Sequence, residues 1–420
     1  MKILWLKTEL LHPVDKGGRI RTYQMLRHLA AEHEIVYLTL DDGTAGAEEV
    51  DAAAEYCHEL IRIPHRRAAR YTPRFFAEIA ANLFSGLPYF LARYRSREMR
   101  EAIARVDREG ACDVIVCDFL VPAVNLPDRL RTPAVLFQHN VEAEIWRRHA
   151  EVAPDPLRRA YFRAQWRRTR AFEERASRRF DRVVAVSKRD RATFEADYGL
   201  DDVAVIETGV DLAYFRPKGR RPRDPNRIVF TGSMDWLPNV DGMRWFVTEI
   251  LPRVRERHPA ATLAIVGRDP APAVRELADR HEGVAVTGTV PDIRPWVEEG
   301  SVYVVPLRIG GGTRLKIYEA MALERPVVST TVGMEGLPVV PGEEILVADS
   351  PGDFAAEVSD LLGHPGKAGA LARRAGERVR RDFGWAGVAA DFSRICEETR
   401  DLTDGSSDRE SREGGVATCA

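Results

Sequence analysis

The segment at residues 305–330, VPLRIGGGTRLKIYEAMALERPVVST, combines glycines, cations and a carboxylate at the junction of a predicted strand and helix. Glycines let a backbone approach an anion closely, and the start of a helix presents free N–H groups and a positive dipole. Two cations in the first helical turn are unfavourable unless an anion binds there. We therefore expect a phosphate site rather than a flexible loop with solvated basic residues. The residues concerned are Gly310, Gly311, Gly312, Thr313, Arg314, Lys316 and Glu319.

Two further candidates follow predicted strands in the first half of the chain. Gly17 and Gly18 separate the strand KILWL from a helix, and His139 closes the strand AVLFQ. Ligands of open α/β sheets bind at the carboxyl ends of strands, which favours a functional role for both over a plain turn and a structural histidine. Glu142 and Glu144 are spaced i,i+2 and so face different sides of a helix. We expect solvated or capping roles for them, not a catalytic pair.

Length and composition predict a two-domain globular protein. The 420 residues exceed the usual size of one domain, and 45% are hydrophobic and 30% charged, which excludes a disordered, collagenous or coiled-coil chain. The net charge of −2 gives no excess typical of a nucleic-acid binder. The five cysteines form no C-x-x-C pair, and the N-terminal apolar run is interrupted by Lys7 and Glu9. We therefore expect a cytoplasmic protein without a spanning helix.

Short β-branched runs alternate with amphipathic stretches, which is typical of parallel α/β domains. The strands predicted are KILWL, EIVYLTL, DVIVC, AVLFQ and RVVAVS in the first half, and RIVFTG, ATLAIVG, VAVTG, SVYVVPL, PVVST and EILVAD in the second. Three prolines and a dense charge run at 209–227 place the domain boundary near Pro217. The predicted parts are domains at 1–217 and 218–382, a helix at 383–402 that packs back on the first domain, and a disordered tail at 403–420.

The combination of these motifs resembles the retaining group 1 glycosyltransferases, whose GT-B fold has two Rossmann-like domains facing across a cleft. The resemblance covers roughly residues 1–400. Besides the 305–330 run, it rests on PVDKGGRIRTYQMLRHLA, VVAVSKRDRATF, VIETGVDLAYFRP and FTGSMDWLPNVDGMRWF. It implies transfer of a sugar from a nucleotide diphosphate donor, held by the second domain, to an acceptor on the first, with retention of anomeric configuration.

The resemblance also assigns roles to residues of the second half. Glu319 matches the second acid of the family's E-x7-E motif, which implies hydrogen bonds to the ribose hydroxyls. The first acid falls at Gly311, so this chain is similar to a subgroup with GGGTRLK in that place. Gly232 and Ser233 occupy the phosphate loop where relatives carry an Arg and a Lys. Our hypothesis is that Arg314 and Lys316 hold the diphosphate instead and stabilise the leaving group, together with Gly312 and Thr313.

Other roles implied by the resemblance are less specific. Gly18 would form a turn facing the donor phosphates, and His139 would lie near the transferred sugar as a catalytic residue. Val290 and Asp292 are candidates for contact with the nucleobase, the alternative being a plain loop. Asp235 and Trp236 lie beside the phosphate loop. The chain has no D-x-D motif, so neither a metal nor another cofactor is expected.

Charge is unevenly distributed and suggests a partner. Residues 61–182 contain 25 Arg and no Lys against 15 Asp and Glu, whereas residues 1–60 contain 6 basic and 11 acidic residues. Within this region, 157–182 has a helical stripe of apolar or small residues with arginines elsewhere. It is either a core helix with a solvated basic face or a segment that docks on anionic lipid at the inner face of the plasma membrane. Arg19 and Arg21 are expected to be solvated helix residues rather than ligands, the alternative being that one of them faces the cleft.

The function predicted is metal-independent glycosyl transfer to a growing polysaccharide or glycolipid. The partners are thus a nucleotide sugar and a carbohydrate or lipid-linked acceptor, with no nucleic acid. Two alternatives remain at this point. A sugar-nucleotide epimerase of the same fold would need no acceptor, and a non-catalytic binding protein would be consistent with the acid missing at Gly311.

Overall fold

The computed structural model describes residues 1–14, 17–69, 71–153, 155–219, 222–309 and 314–413. The chain forms two compact units. Unit 1 comprises Met1–Glu207 and Val388–Ala420, and unit 2 comprises Thr208–Gly387. The division therefore precedes Pro217. The reason is that Val210 pairs with Gly384 and packs, with its neighbours, into the core of unit 2.

Unit 1 is built on a seven-stranded parallel sheet. Its strands are β1 Lys2–Lys7, β2 Glu34–Asp41, β3 Glu59–Pro64, β4 Val114–Asp118, β5 Ala134–Phe137, β6 Arg182–Ala185 and β7 Val203–Val205. They lie in the order β3-β2-β1-β4-β5-β6-β7, and every pair is parallel. The central strands are the predicted apolar runs. The two edge strands were not predicted, because β3 is only half buried and β7 has only three residues.

Helices connect these strands. They are α1 Gly17–Leu29, α2 Ala47–Asp51, α3 Pro73–Asn82, α4 Tyr89–Ala92, α5 Arg97–Arg108, α6 Glu142–Val152, α7 Pro156–Ser177 and α8 Lys188–Tyr198. Local chemistry sets several of their ends. The hydroxyl of Ser187 accepts the backbone N–H of Asp190 at the start of α8, and Gly199 takes the left-handed conformation that ends it.

Unit 2 contains a six-stranded parallel sheet with the order β10-β9-β8-β11-β12-β13. Its strands are β8 Arg227–Thr231, β9 Thr262–Val266, β10 Val284–Val286, β11 Val302–Val305, β12 Val327–Ser329 and β13 Leu346–Val347. Its helices are α9 Leu237–Trp245, α10 Leu251–Arg257, α11 Pro272–Arg280, α12 Arg294–Glu299, α13 Leu315–Ala322, α14 Pro351–Gly363 and α15 Pro365–Asp382. This is the strand order of dinucleotide-binding Rossmann domains.

The last helix, α16 Trp385–Glu413, belongs to unit 1 from Val388 onward. Phe392 is buried, with its ring 5.6 Å from that of Trp5 and 4.9 Å from that of Phe137. The helix continues beyond residue 402, where the polar tail was expected to begin, and residues 414–420 lie outside the described part. Among the described helices, none is long and apolar enough to cross a bilayer.

Candidate functional site

The strand order of unit 2 fixes where a ligand would bind. From β8 the chain adds strands toward one edge of the sheet, through β9 to β10, and from β11 it adds them toward the other edge, so the strand order reverses between β8 and β11. Ligands of such sheets bind beyond the carboxyl ends of the two strands at this reversal. Gly232 and Ser233 directly follow β8, and the 305–330 segment follows β11. The fold therefore brings the two sequence motifs to one point.

Lys316, the second residue of α13, lies at that point. Its Nζ donates a hydrogen bond of 3.1 Å to Asn239 Oδ1 and lies 4.2 Å from the centre of the Phe230 ring. The side-chain amide of Asn239 in turn donates to the carbonyl of Ser233 at 2.8 Å. Asn239 thus ties the lysine to the loop after β8. The sequence analysis missed this residue, although it lies within the quoted FTGSMDWLPNVDGMRWF motif.

Gly232 is required by the close packing of this loop. A Cβ atom at residue 232 would lie 2.7 Å from both Lys316 Nζ and Asn239 Nδ2, closer than non-bonded atoms approach. On its other side, a Cβ at Gly267 would lie 1.7 Å from the carbonyl oxygen of Gly232. Both positions are therefore packed too closely for any side chain larger than that of glycine.

Arg314 directly precedes α13 and is buried, with 6% of its surface exposed. Its guanidinium carbon lies 5.5 Å from the centre of the Trp236 ring, which follows the loop after β8. Arg314 and Lys316 therefore both belong to this end of the sheet. The other residues predicted for the phosphate site lie outside the described residues, namely Gly310, Gly311, Gly312 and Thr313.

Electrostatics in this cluster are strongly perturbed. Burial, with a contribution from Arg314, lowers the pKa of Lys316 to about 7. Burial raises the pKa of Glu319 to about 7, and Lys316 acts in the opposite direction. Two groups with pKa values displaced toward neutrality at the reversal point of the sheet are a common sign of a functional site. An anionic ligand would favour the charged form of Lys316.

Ser233 and Asp235 form a local network. The Ser233 hydroxyl donates to Asp235 Oδ1 at 2.5 Å, and Arg268 Nε donates to the same hydroxyl at 3.2 Å. The bond from Ser233 holds the pKa of Asp235 below its usual value. Ser233 is thus oriented by hydrogen bonds to one acidic and one basic side chain.

The nucleobase candidates lie in the loop between β10 and α12. Val290 is half-buried and packs against the apolar core of unit 2. Asp292 accepts the backbone N–H of Arg294 at 2.9 Å and is bridged by its guanidinium at 2.7 Å. Arg294 also covers the Tyr214 ring at 3.6 Å. The carboxylate of Asp292 is therefore engaged in stabilising its own loop.

In unit 1 the strand order reverses between β1 and β4. A buried polar network, not predicted from the sequence, lies at the ends of these two strands. Asp118, the last residue of β4, is fully buried. Its Oδ2 lies 2.8 Å from Lys7 Nζ and accepts hydrogen bonds from Thr22 Oγ1 at 2.6 Å and Trp5 Nε1 at 3.0 Å. His139 Nε2 lies 2.9 Å from its Oδ1. The signal in the sequence was an acid closing the strand DVIVCD.

His139 is therefore part of the interior rather than an open surface. It is 4% exposed, and the Phe119 ring lies over it with ring centres 3.9 Å apart. Burial lowers its pKa to about 3, with Asp118 acting in the opposite direction, so the ring is neutral at neutral pH. A Cβ at Gly18 would lie 3.2 Å from the same Phe119 ring. Phe119 thus lies next to both predicted residues.

Two other expectations for unit 1 were wrong. Arg21 is 7% exposed rather than solvated, and burial lowers the pKa of its guanidinium to about 10, with Asp118 acting in the opposite direction. Glu142 is half-buried, and burial together with Glu173 raises its pKa to about 8. Glu144, for which a solvated or capping role was predicted, forms an ion pair with Arg147 at 2.7 Å.

Glu173, on α7, holds the loop that carries His139. Its fully buried carboxylate accepts the backbone N–H groups of Glu142 and Ala143 at 2.9 and 3.0 Å, at the start of α6. It also accepts the side chains of Gln138 at 3.1 Å and Tyr198 at 2.8 Å. Nothing local in the sequence marked this residue, because its partners come from β5, α6 and α8.

No cluster of three or more His, Cys, Asp or Glu side chains with the geometry of a metal site occurs in the described ranges. The cysteines described in the structure, Cys57, Cys112, Cys117 and Cys396, are free and buried.

Both halves of the chain match known glycosyltransferase families. Residues 16–214 match Glycosyltransferase Family 4, and residues 225–364 match the group 1 glycosyl transferases. The chain is 28% identical over 304 residues to glycogen synthase of Mycobacterium tuberculosis, covering 69% of each protein. It is 30% identical over 249 residues to the lipopolysaccharide core biosynthesis mannosyltransferase LpcC of Rhizobium leguminosarum, covering 54% of this chain and 67% of LpcC.

Solved structures support the same fold. The Anabaena protein HepE, crystallised with UDP and glucose, superposes with a TM-score of 0.63 at 14% identity, covering 95% of this chain and 100% of HepE. Together with the two parallel sheets, this similarity establishes the predicted GT-B architecture of two Rossmann-like domains. The family matches, the mannosyltransferase relative and the fold agree with one another, and the chain belongs to the group 1 glycosyltransferases.

Proposed function

We propose that this glycosyltransferase moves a sugar from a nucleotide diphosphate donor to a carbohydrate or lipid-linked acceptor, with retention and without a metal ion. The donor assignment rests on one observation. Lys316, Glu319 and Gly232 lie together at the point where the strand order of unit 2 reverses. The glycine backbone accommodates a phosphate closely, the lysine supplies charge, and a carboxylate accepts two hydrogen bonds from a ribose diol.

Arg314 and Lys316 have the chemistry to stabilise the departing diphosphate. Charge develops on the leaving oxygen as the glycosidic bond breaks, and fixed cations in a partly dehydrated site stabilise it. These two cations precede or begin α13, whose N-terminal dipole acts in the same direction. This arrangement can perform the role that a divalent cation performs in other transferases, which supports the metal-independent proposal.

Retention follows, in this proposal, from departure and attack on the same face of the donor sugar. The acceptor class is suggested by the relatives, one named for glycogen synthesis and another for lipopolysaccharide core synthesis. UDP is the first donor nucleotide to test, because HepE was crystallised with UDP and glucose.

The test is a panel of UDP-, GDP-, ADP- and dTDP-sugars added to the wild-type protein and to Glu319→Ala, with thermal unfolding as the measurement. A ligand that binds only the native state raises the unfolding temperature with its concentration. We expect one nucleotide class to do so and the variant to weaken the shift. Glu377→Ala, an exposed acid on α15, is the control and should behave as wild type.

Transfer is then followed with the preferred donor and glycan or lipid-linked acceptors, with and without EDTA, and the anomeric configuration of the product is read by NMR. Retained configuration and an EDTA-insensitive rate are expected. An inverted product would overturn the retention proposal, and loss of activity with EDTA would overturn metal independence. The absence of a shift with every nucleotide would overturn the donor-site assignment itself.

A further inference from the structure

Helix α3 turns an apolar face toward solvent. Phe76, Leu83 and Phe84 are 56%, 52% and 94% exposed, and Tyr71, just before the helix, is 81% exposed. The spacing is helical, so these side chains share one side with small alanines. This surface, called the α3 face, comprises Phe76, Ala77, Ala80, Ala81, Leu83 and Phe84, all of them exposed.

The opposite side of α3 faces the protein and carries the acidic residue of the helix, Glu78. Glu78 accepts a hydrogen bond from the Tyr89 hydroxyl at 3.2 Å, Asn82 is buried, and Phe75 packs edge-on against Tyr89 at 5.7 Å. A helix on the surface of a globular protein usually turns its apolar stripe inward and its charges outward. Helix α3 instead exposes apolar side chains as well as its one arginine, Arg74, and such an apolar patch in water commonly marks an interaction site.

The α3 face is fixed to the body of unit 1. Arg168 of α7 donates hydrogen bonds to the carbonyls of Asn82 at 2.9 Å and Leu83 at 2.7 Å. The backbone N–H of Tyr89, in the helix that follows α3, donates to the buried Gln165 of α7 at 2.8 Å. The exposed aromatic residues therefore project from an anchored helix.

Helix α7, which contacts the end of α3 through Arg168, carries exposed positive charge. The apolar or small stripe predicted for 157–182 is mostly inside the protein, since Gln165, Thr169 and Ala176 are buried. Its first turn is different, with Leu157 81% exposed. Arg158, Arg163 and Arg167 are exposed along the same helix. The basic helix thus contributes cations, whereas most of the exposed apolar surface comes from α3.

We propose that the α3 face inserts into the interface of an anionic lipid bilayer, with the arginines of α7 contacting lipid headgroups. Aromatic and aliphatic side chains enter the boundary between headgroups and acyl chains, and arginines are attracted to negative surface charge. The net charge of +10 over residues 61–182, from 25 Arg against 15 acids, complements such a surface. The biological reason for membrane binding rests on the proposed function, in which the acceptor is linked to a lipid.

The experiment is sedimentation of the full chain with vesicles, without any nucleotide sugar. One set contains phosphatidylcholine alone and the other equal parts of phosphatidylcholine and phosphatidylglycerol. We expect binding to the anionic vesicles that weakens with salt. The double variant Phe76→Ser, Phe84→Ser should bind at least about tenfold more weakly, because each phenylalanine loses its burial in lipid. Leu402→Ser, which removes a side chain 61% exposed on α16, is the matched control.

Arg163→Gln with Arg167→Gln should reduce the salt dependence while leaving the residual binding at high salt unchanged. Unaltered vesicle binding by the phenylalanine double variant would overturn the proposal, as would no binding by the wild type. Concentration-dependent dimerisation that the double variant abolishes would assign the surface to a second copy of this chain instead. Because no donor is present, a failed donor assignment leaves this result interpretable, and circular dichroism checks that each variant is folded.

Discussion

Lys7 Nζ and Asp118 Oδ2 are 2.8 Å apart, with the two side chains only 4% and 0% exposed. Burial lowers the pKa of Lys7, but the Asp118 carboxylate opposes this effect, and Lys7 together with His139 holds the pKa of Asp118 well below its usual range. The pair joins the ends of β1 and β4, the two strands between which the strand order of the first sheet reverses. It is therefore a structural element at the carboxyl ends of the two central strands of unit 1.

Replacing Asp118 by Asn should destabilise the protein by about 3–5 kcal/mol, because the substitution leaves a buried ammonium group without its counter-charge. Urea unfolding followed by circular dichroism measures this loss. The control is Glu195→Gln, which breaks the ion pair with Arg191 on the surface of α8 and should cost less than about 1 kcal/mol. Equal effects of the two substitutions would contradict the assignment of Asp118 as a buried ion-pair partner.

Glu173→Ala should destabilise unit 1 by about 2–4 kcal/mol, because it leaves several buried donors without an acceptor. Glu173→Gln keeps one carbonyl oxygen and should recover part of that loss. If the His139 loop takes part in transfer, Glu173→Gln should also lower kcat more than it raises KM for the donor. Steady-state kinetics measured well below the unfolding temperature separate this effect from stability. Wild-type kcat in a variant of measurably lower stability would limit Glu173 to a structural role.

Lys316→Ala should lower kcat/KM by about a hundredfold, the scale observed when one electrostatic stabiliser of a transition state is removed. Lys367→Ala is the matched control, because Lys367 is exposed on α15 and pairs only with Asp360 in the ion pairs of the described chain. The control should retain wild-type activity. Wild-type turnover by Lys316→Ala would show that the diphosphate is held elsewhere.

Nucleoside diphosphate binding should take up protons above neutral pH. The pKa of Lys316 is lowered to about 7. In the free protein its side chain is therefore protonated below that pH and loses its proton as the pH rises through it. A bound diphosphate favours the charged lysine and raises its pKa, so affinity should fall with increasing pH above about 7. Calorimetry at about pH 8 in two buffers of different ionisation enthalpy measures the uptake.

Lys316→Arg serves as the comparison, because arginine stays charged across this range and should bind without comparable uptake. Glu319→Gln removes the second group with a pKa near neutrality, the carboxyl that burial shifts to about 7. Uptake that persists in Lys316→Arg but disappears in Glu319→Gln would assign the proton to the acid instead.

Gly232→Ala should weaken donor binding at least about tenfold, because the added methyl would lie 2.7 Å from Lys316 Nζ and Asn239 Nδ2 and must displace them. Gly366→Ala is the control, since a Cβ there meets no atom within 4 Å and the residue lies in the first turn of α15. The control should leave donor affinity unchanged. Equal donor affinity in Gly232→Ala and wild type would contradict the close approach inferred for this loop.

The sequence by itself determined the class of fold and the location of the motifs proposed to bind the donor. Runs such as RIVFTG and SVYVVPL are nearly continuous in apolar residues because their strands are buried on both faces, so their pattern is local. Lys316 was predicted from the glycine loop and helix start that follow such a strand, and Gly232 and Glu319 were predicted from the family resemblance. By contrast, β3 and β7 are too exposed or too short for the same pattern to identify them.

Only the tertiary structure decided which distant residues meet. Trp5 and Thr22 reach Asp118 across 113 and 96 positions of sequence, because strand order places β4 beside β1. The same long-range packing buries His139 under Phe119 and places Glu173 at the start of α6. Such contacts depend on how elements dock, and no local periodicity specifies that. The outward apolar side of α3 was decided in the same way, since a helical stripe in sequence does not state which face meets water.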